Sequence, residues 1–127
     1  MTSPLWKRGP PESPKQVWLV DLEPVVGSEA SKSRPCVLVS NDHANSRAAA
    51  LTRGTVTVVP ATTTLDPVLA FHVVLPAEDT GLRQDSKAQA EQVRSVDVRR
   101  LIQRVGRLPV PLTHAVDDAL RLHLDLD

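Results

Sequence analysis

The chain has 127 residues, 41% of them apolar and 24% charged, and its 15 basic and 15 acidic residues cancel. This length fits about one domain with its own core, and the composition excludes both a disordered tail and a membrane protein. A net charge of zero gives no sign of the strongly basic surface that many nucleic-acid-binding proteins carry. Cys36 is the single cysteine, which excludes an internal disulfide and a multi-cysteine zinc site. Its apolar neighbours predict a buried thiol.

The first 16 residues are rich in Pro, Lys, Ser and Glu. Pro10, Pro11 and Pro14 oppose both a helix and a central strand there. We therefore predict a Pro-rich arm over residues 1–16 and one domain over residues 17–127. The arm has no apolar core of the kind that a secretion signal needs, so we expect a cytoplasmic protein.

Short runs of β-branched residues, bounded by Pro, Gly, Asn or Asp, follow the arm and predict strands. The predicted strands are 17–22, 35–40, 55–61 and 69–75. In the last of them Leu69, Phe71, Val73 and Leu75 alternate onto one face. Residues 88–98 and 101–108 are two further predicted strands, although the alanines of the first also allow a helix.

The end of the chain has a different periodicity. Leu112, Val116, Leu120 and Leu124 recur every fourth residue, which predicts an amphipathic helix that begins near Pro111. Closely spaced strands with one closing helix predict a mostly β fold with some α: a small barrel or curled sheet under helical cover.

The familiar catalytic patterns are absent from the sequence. His43, His72, His114 and His123 show no pairing at metal-ligand spacing. Gly-rich phosphate loops and the serine-elbow motif are missing too. We therefore expect no metal site and no cofactor, and any chemistry must come from side chains that converge from loops.

The stretch "GSEASKSRPCVLVSN", residues 27–41, is the first source of such side chains. It is a polar loop with Glu29, Lys32 and Arg34 that leads directly into an apolar strand. An arginine offers a fixed fork of donors that suits a phosphodiester. The alternative is structural, namely a salt bridge from Arg34 to Glu29 or Asp21.

Two further segments supply polar groups. The hydroxyls of "ATTT", residues 61–64, lie at the end of the third predicted strand, where turn chemistry is the simpler explanation. The segment "DSKAQAEQVRS" carries more polar side chains than a buried strand usually holds; those of interest are Asp85, Ser86, Lys87, Glu91 and Gln92.

The order of these segments is more specific than any one of them. "VWLVDLEPVVGSEASKSRPCVLVSND", "VTVVPATT", "DSKAQAEQVRSVDVRRL", "VGRL" and "VDDALRLHL" together resemble the MazF/PemK family of toxin endoribonucleases over roughly residues 17–124. The Gly-Ser-Glu loop that runs into Arg-Pro and an apolar strand is the most specific part.

The resemblance implies a fold and an activity. The implied fold is an SH3-like small β-barrel (PemK/CcdB-like) with a C-terminal helix, assembled as a homodimer. The implied activity is sequence-specific, metal-independent cleavage of single-stranded RNA such as mRNA. A cognate antitoxin, whose tail occupies the RNA groove, would inhibit it.

Site residues carry over by position. Arg34 in "SRPC" matches the family's catalytic arginine, and Thr62 matches its catalytic threonine. Glu29 matches an acid beside the site, where it either accepts a proton or orients Arg34. The predicted RNA-binding residues are Ser28, Lys32, Asp85, Ser86, Lys87, Glu91 and Gln92.

The chain departs from the family pattern in two ways. After Lys7-Arg8-Gly9 it inserts "PPESPKQ" before the first strand, and its only aromatic residues are Trp6, Trp18 and Phe71. Base stacking would therefore be sparse, and recognition would depend on hydrogen bonds. Two alternatives stay open: a toxin of the same fold that only binds a protein target such as DNA gyrase, and an inactive paralogue.

Overall fold

The structure, a computed structural model, describes residues 14–22 and 33–127. Its strands are short and pair only in antiparallel fashion. They are β1 (Gln16–Asp21), β2 (Ser33–Leu38), β3 (Thr55–Thr62), β4 (His72–Leu75), β5 (Ser86–Gln89), β6 (Arg94–Asp97) and β7 (Leu101–Arg107).

Helices occupy two of the connections and the end of the chain. They are α1 (Asp42–Leu51), α2 (Ala77–Thr80) and α3 (Val110–Leu124), with 3₁₀ turns at Ala90–Gln92 and Val98–Arg100. The predicted class, mostly β with a C-terminal helix, is therefore confirmed.

The sheet follows the order β4-β5-β3-β2-β1-β7, with β6 paired to β3 beside this path. Strand β3 has β2 along one edge. On its other edge it pairs first with β6, over Thr55–Val58, and then with β5, at Ala61 and Thr62. One strand thus joins two parts of the sheet, and β4 and β7 form the two ends of the described path.

Both faces of the sheet are buried, so neighbouring residues of one strand enter different cores. Val59 and Ala61 of β3 pack in the cluster that α3 covers with Val116 and Ala119. Val58, on the opposite face, packs in a second cluster with Ala48 of α1 and Cys36 of β2. Residues that alternate along a strand point to opposite faces. The buried thiol predicted for Cys36 is confirmed.

Two predicted strands were wrong in their extent. Strand β4 begins at His72 rather than at Leu69, whose side chain is 46% exposed. The backbone N–H of Leu69 donates to the His72 ring instead of joining a strand ladder. The stretch 88–98 is not one strand either, because the 3₁₀ turn Ala90–Gln92 separates β5 from β6.

Helix α1 was not among the elements predicted from the sequence. Asn41 caps it by accepting a hydrogen bond from the N–H of Ala44 at 2.8 Å. Ala48 is its only buried residue. With so narrow an apolar stripe, the helix has no periodicity that a sequence reader could detect.

Helix α3 begins and ends near the predicted positions, but its buried face is shifted. Thr113, Val116 and Ala119 are buried, whereas Leu124 is 49% exposed. Lys15 links the chain before β1 to this helix, since its backbone N–H donates to Thr113 Oγ1 and its ammonium lies 3.2 Å from Asp117.

Candidate active site

Strand register brings Arg34 and Thr62 to the same place. Strands β2 and β3 pair Leu38 with Val58 and Cys36 with Pro60. Continued by two residues, this register sets Arg34 opposite Thr62, and directly opposed residues of antiparallel strands share a face. The two residues to which the family resemblance assigns catalytic roles are therefore adjacent in the fold.

Strand β5 adds a third side chain to this face. It pairs Thr62 with Lys87 and Ala61 with Ala88. Because alternate residues of a strand share a face, Gln89 lies on the side of Lys87 and Thr62. Gln89 is half-buried and within reach of the arginine.

The Arg34 guanidinium is bound by two neutral acceptors. Its Nε and Nη2 atoms donate to the carbonyl oxygen of Ala61 at 3.3 and 2.9 Å, and Nη2 also donates to Oε1 of Gln89 at 3.1 Å. A backbone carbonyl and an amide orient a guanidinium without cancelling its charge. The group is thus fixed at the end of β3 as a full positive charge.

The hydroxyl of Thr62 lies at the last position of β3. Its Oγ1 accepts a hydrogen bond from the backbone N–H of Thr64 at 3.2 Å. This bond occupies a lone pair of the oxygen and leaves the O–H as a donor. The Thr64 bond also fixes the first turn after the strand, so the hydroxyl is oriented before any substrate arrives.

A second arginine contributes to the positive potential near this face. Burial raises the pKa of the Cys36 thiol to about 12, although the charges of Arg34 and Arg94 both act to lower it. Arg94 lies opposite Val58 of β3, and Val58 shares its face of the strand with Thr62. Two cations on this face form a suitable setting for a polyanion.

His72 and Glu91 form a separate polar pair. The Nε2 atom of His72 lies 3.0 Å from Oε2 of Glu91, while its Nδ1 accepts the N–H of Leu69 at 3.0 Å. The Leu69 contact places the proton of a neutral His72 on Nε2, which then donates to Glu91. Phe71 packs edge-on against the His72 ring, with centroids 4.9 Å apart.

Opposing effects act on the pKa of Glu91. Burial would raise it, but the hydrogen bonds from His72 and from its own backbone N–H, together with the charges of His72 and His123, lower it below the ordinary value of 4.5. The pair ties the 3₁₀ turn Ala90–Gln92 to β4. Gln92, the next residue, is exposed.

The remaining predicted RNA-binding residues of the described chain make contacts within the protein. Asp85 accepts the N–H of Ala77 at 2.8 Å, and the buried Ser86 donates to the carbonyl of Gln84 at 3.0 Å. Lys87 is 4% exposed and its ammonium donates to the carbonyl of Pro67. This contact secures the segment after Thr62. Ser28, Glu29 and Lys32 lie outside the described residues.

The described chain offers neither a metal-binding cluster nor a membrane-spanning helix. Across residues 14–22 and 33–127, no group of three or more His, Cys, Asp or Glu side chains is arranged to hold a metal ion. Within the same ranges, no helix is long and apolar enough to cross a membrane.

Comparison with known families identifies the family of this chain. A family model described as PemK-like, MazF-like toxin of type II toxin-antitoxin system matches residues 13–124. The chain belongs to this toxin family. The match includes both β2 and the end of β3, where Arg34 and Thr62 lie.

Individual members of the PemK/MazF family agree with this assignment. The endoribonuclease MazF9 of Mycobacterium tuberculosis is 50% identical over 111 residues, which cover 87% of this chain and 94% of that protein. The solved structure of the M. tuberculosis toxin MazF-mt6 superposes with a TM-score of 0.70 at 25% identity, covering 88% of this chain and 98% of that one.

A third relative is a complex. An endoribonuclease solved with its cognate antitoxin, from a mycobacterial species, has a TM-score of 0.69 at 23% identity. The match covers 88% of this chain and 93% of the solved one. At this identity the likeness shows the fold alone.

Gln89 is the site residue that sequence reasoning missed. The resemblance directed attention to Glu91 and Gln92, and the stretch from 88 to 98 was treated as one strand. The signal was nevertheless present: with Ser86–Gln89 recognised as a separate strand, Lys87 and Gln89 alternate onto one face. Only the register with β3 shows that this face is the one that holds Thr62.

Proposed function

We propose that this protein is a toxin endoribonuclease that cleaves single-stranded RNA, mRNA included, without a metal ion. The observation that carries the proposal is the position of Arg34, whose guanidinium is oriented by neutral acceptors one strand away from the Thr62 hydroxyl. Membership of the PemK/MazF family and the endoribonuclease names of its relatives support it. Since mRNA is cytoplasmic, we place the protein in the cytoplasm.

RNA contains its own nucleophile, which simplifies the chemistry. The 2′-oxygen attacks the adjacent phosphorus, the P–O5′ bond breaks, and the 5′-oxygen takes a proton. The 2′-hydroxyl proton passes to a base. The products are a 2′,3′-cyclic phosphate and a 5′-hydroxyl end, so the enzyme needs only to align the phosphate and stabilise the charge that develops on it.

Each residue has a role in this scheme. Arg34 stabilises the non-bridging oxygens of the phosphorane, and Thr62 donates a hydrogen bond that holds the phosphate in line. Glu29 is the candidate base, because the intrinsic pKa of a carboxyl is far better matched to accepting a proton near neutral pH than that of a guanidinium. Gln92 is exposed and directly follows Glu91, which is hydrogen-bonded to His72. Gln92 is therefore the candidate for base recognition in the described part of the chain.

The proposed partners follow the family. We propose a symmetric homodimer with RNA bound across it. We also propose inhibition by a cognate antitoxin, which is supported by the mycobacterial endoribonuclease solved in complex with its cognate antitoxin. Light scattering at micromolar concentration tests the dimer, and a fully active monomer would contradict it.

The function is tested by incubating purified protein with a mixed single-stranded RNA in EDTA, alongside the Arg34→Ala variant. We expect discrete fragments with 2′,3′-cyclic phosphate ends from the parent and none from the variant. Binding without cleavage would instead favour a toxin that acts on a protein target. Fragments with 3′-hydroxyl ends would contradict the proposed chemistry.

A further inference from the structure

We propose that Gln89 is a positioning residue that orients the Arg34 guanidinium toward the phosphate. The inference rests on the proposed function for its catalytic meaning. Its structural basis is the bond from Nη2 of Arg34 to Oε1 of Gln89 at 3.1 Å, formed from the strand on the far side of β3.

The carbonyl of Ala61 is not sufficient to orient Arg34. Both Nε and Nη2 donate to this one oxygen, so the guanidinium could still pivot about that atom. A second acceptor at a different point removes the pivot. Gln89 supplies it from β5. The guanidinium is then held by two acceptor atoms, the carbonyl oxygen of Ala61 and Oε1 of Gln89.

Gln89 is well placed for this role because its strand is paired on both edges. Strand β5 pairs with β3 on one edge and with β4 on the other, where Gln89 lies opposite His72. Its neighbours Ala88 and Ala90 are each 1% exposed and pack in the core beneath α3. A side chain mounted on so rigid a strand has little freedom beyond its own rotamers.

The chemical nature of Gln89 also matters. A carboxylate at this position would form a charge-assisted pair with Arg34 and offset the positive charge that the phosphorane needs. An amide oxygen accepts the same hydrogen bond and leaves the charge in place. Glutamine therefore orients the Arg34 guanidinium without neutralising its charge.

The described contacts engage two of the three nitrogens of the guanidinium. A guanidinium has five N–H donors. The bonds to Ala61 and Gln89 engage those of Nε and Nη2, and no described residue accepts from Nη1. Held in this way, the guanidinium can present the two N–H groups of Nη1 to a non-bridging phosphate oxygen.

The kinetic test replaces Gln89 by Leu, which keeps its approximate shape and removes the acceptor. We expect kcat on a cleavable oligonucleotide to fall roughly tenfold, as for the loss of one hydrogen bond to a charged group. KM should stay within about twofold, since phosphate contacts elsewhere supply most of the binding. If Gln89→Leu does not fold, the unbranched Gln89→Met replaces it.

Two controls separate positioning from a structural role or a direct RNA contact. Gln103→Leu makes the same substitution at an exposed position of β7 and should leave kcat unchanged. In an Arg34→Lys background, Gln89→Leu should have less than about a twofold effect, because the ammonium lacks the fork that Gln89 orients. An equal loss in both backgrounds, or unchanged kcat in the single variant, would overturn the proposal.

A measurement on the free protein keeps this inference separate from the proposed function. Nitrogen-15 spectra report rotation about the Nε–Cζ bond of Arg34, whose signals are assigned by their loss in Arg34→Lys. Rotation should be at least roughly fivefold faster in Gln89→Leu than in the parent and in Gln103→Leu. Equal rates in all three would refute positioning, whereas a parent that cuts no RNA would refute only the function.

Discussion

Arg34 and Ala61 are joined by a 2.9 Å hydrogen bond from Nη2 to a backbone carbonyl, and Ala61 immediately precedes Thr62. The bond joins the start of β2, where Arg34 lies, to the end of β3, where Thr62 lies. Because this acceptor is a backbone atom, one of the two anchor points of the guanidinium follows directly from the fold of β3, and the side chain of Gln89 supplies the other.

Removal of this guanidinium should abolish cleavage. Arg34→Ala deletes the charge at the reacting phosphate, and the loss of such a donor typically costs ~2.7–4 kcal/mol of barrier, about 10²–10³ in rate. Circular dichroism should be unchanged, since Arg34 lies at the start of β2 and outside both apolar clusters. Arg83→Ala, at an exposed position, is the matched control. Cleavage by Arg34→Ala at the parental rate would remove Arg34 from the site.

Thr62 should contribute less than Arg34. Thr62→Val keeps the shape of the side chain but loses the O–H donor and the acceptor for Thr64. We expect cleavage to slow roughly tenfold, the effect of one hydrogen bond. Thr62→Ser, which keeps the hydroxyl, should retain most of the activity. If Val and Ser variants cut equally fast, the hydroxyl has no catalytic role.

The His72–Glu91 pair predicts a dependence of stability on pH. Burial opposes the shift, yet the hydrogen bond from His72 lowers the pKa of Glu91 below 4.5 in the folded state. A lowered folded pKa stabilises the protein at pH values above 4.5, and this stabilisation is lost as the pH falls through the folded pKa. As the pH falls from 5 to more acidic values, the free energy of unfolding should therefore decrease more for the parent than for the Glu91→Gln variant.

Denaturant titrations at a series of pH values measure this difference. The gap in unfolding free energy between the parent and Glu91→Gln should narrow as the pH falls below 4.5. Glu78→Gln, on the exposed side of α2, is the control. A gap that stays constant over this range would show that the ionised carboxylate of Glu91 adds nothing to stability.

Cys36 should be chemically silent in the folded protein. Its side chain is fully buried, and burial raises the pKa of its thiol to about 12. Since the thiolate is the reactive form, the native protein should not react with dithiobis(nitrobenzoate) at pH 8, whereas the protein in urea should react fully. Rapid labelling of folded protein would contradict this burial.

The family resemblance directed the sequence analysis to Arg34 and Thr62, and their roles stay predictions. The structure adds that the β2–β3 register, continued by two residues, sets them opposite each other. Gln89 was missed because its importance depends on the pairing of β5 with β3. Pairing between strands distant in the chain leaves no mark on local periodicity.

The errors in secondary structure have a similar origin. Helix α1 is stabilised by the Asn41 cap and buries only Ala48, so it lacks the apolar stripe by which α3 was predicted. Leu69 begins an apolar stretch with the composition of a strand, yet its backbone N–H donates to the His72 ring and is not part of a strand ladder. In each case a polar contact decided the local structure, and such contacts are weakly encoded in composition.

The most direct test of the central claim changes the substrate and leaves the protein intact. If the nucleophile is the 2′-hydroxyl beside the scissile phosphate, replacing that one ribose by deoxyribose in a cleavable oligonucleotide removes the attacking atom and keeps the backbone charge. We predict that cleavage at that bond stops while binding persists, because phosphate contacts supply much of the affinity. Cleavage of the deoxy-substituted oligonucleotide at the same bond would contradict the mechanism.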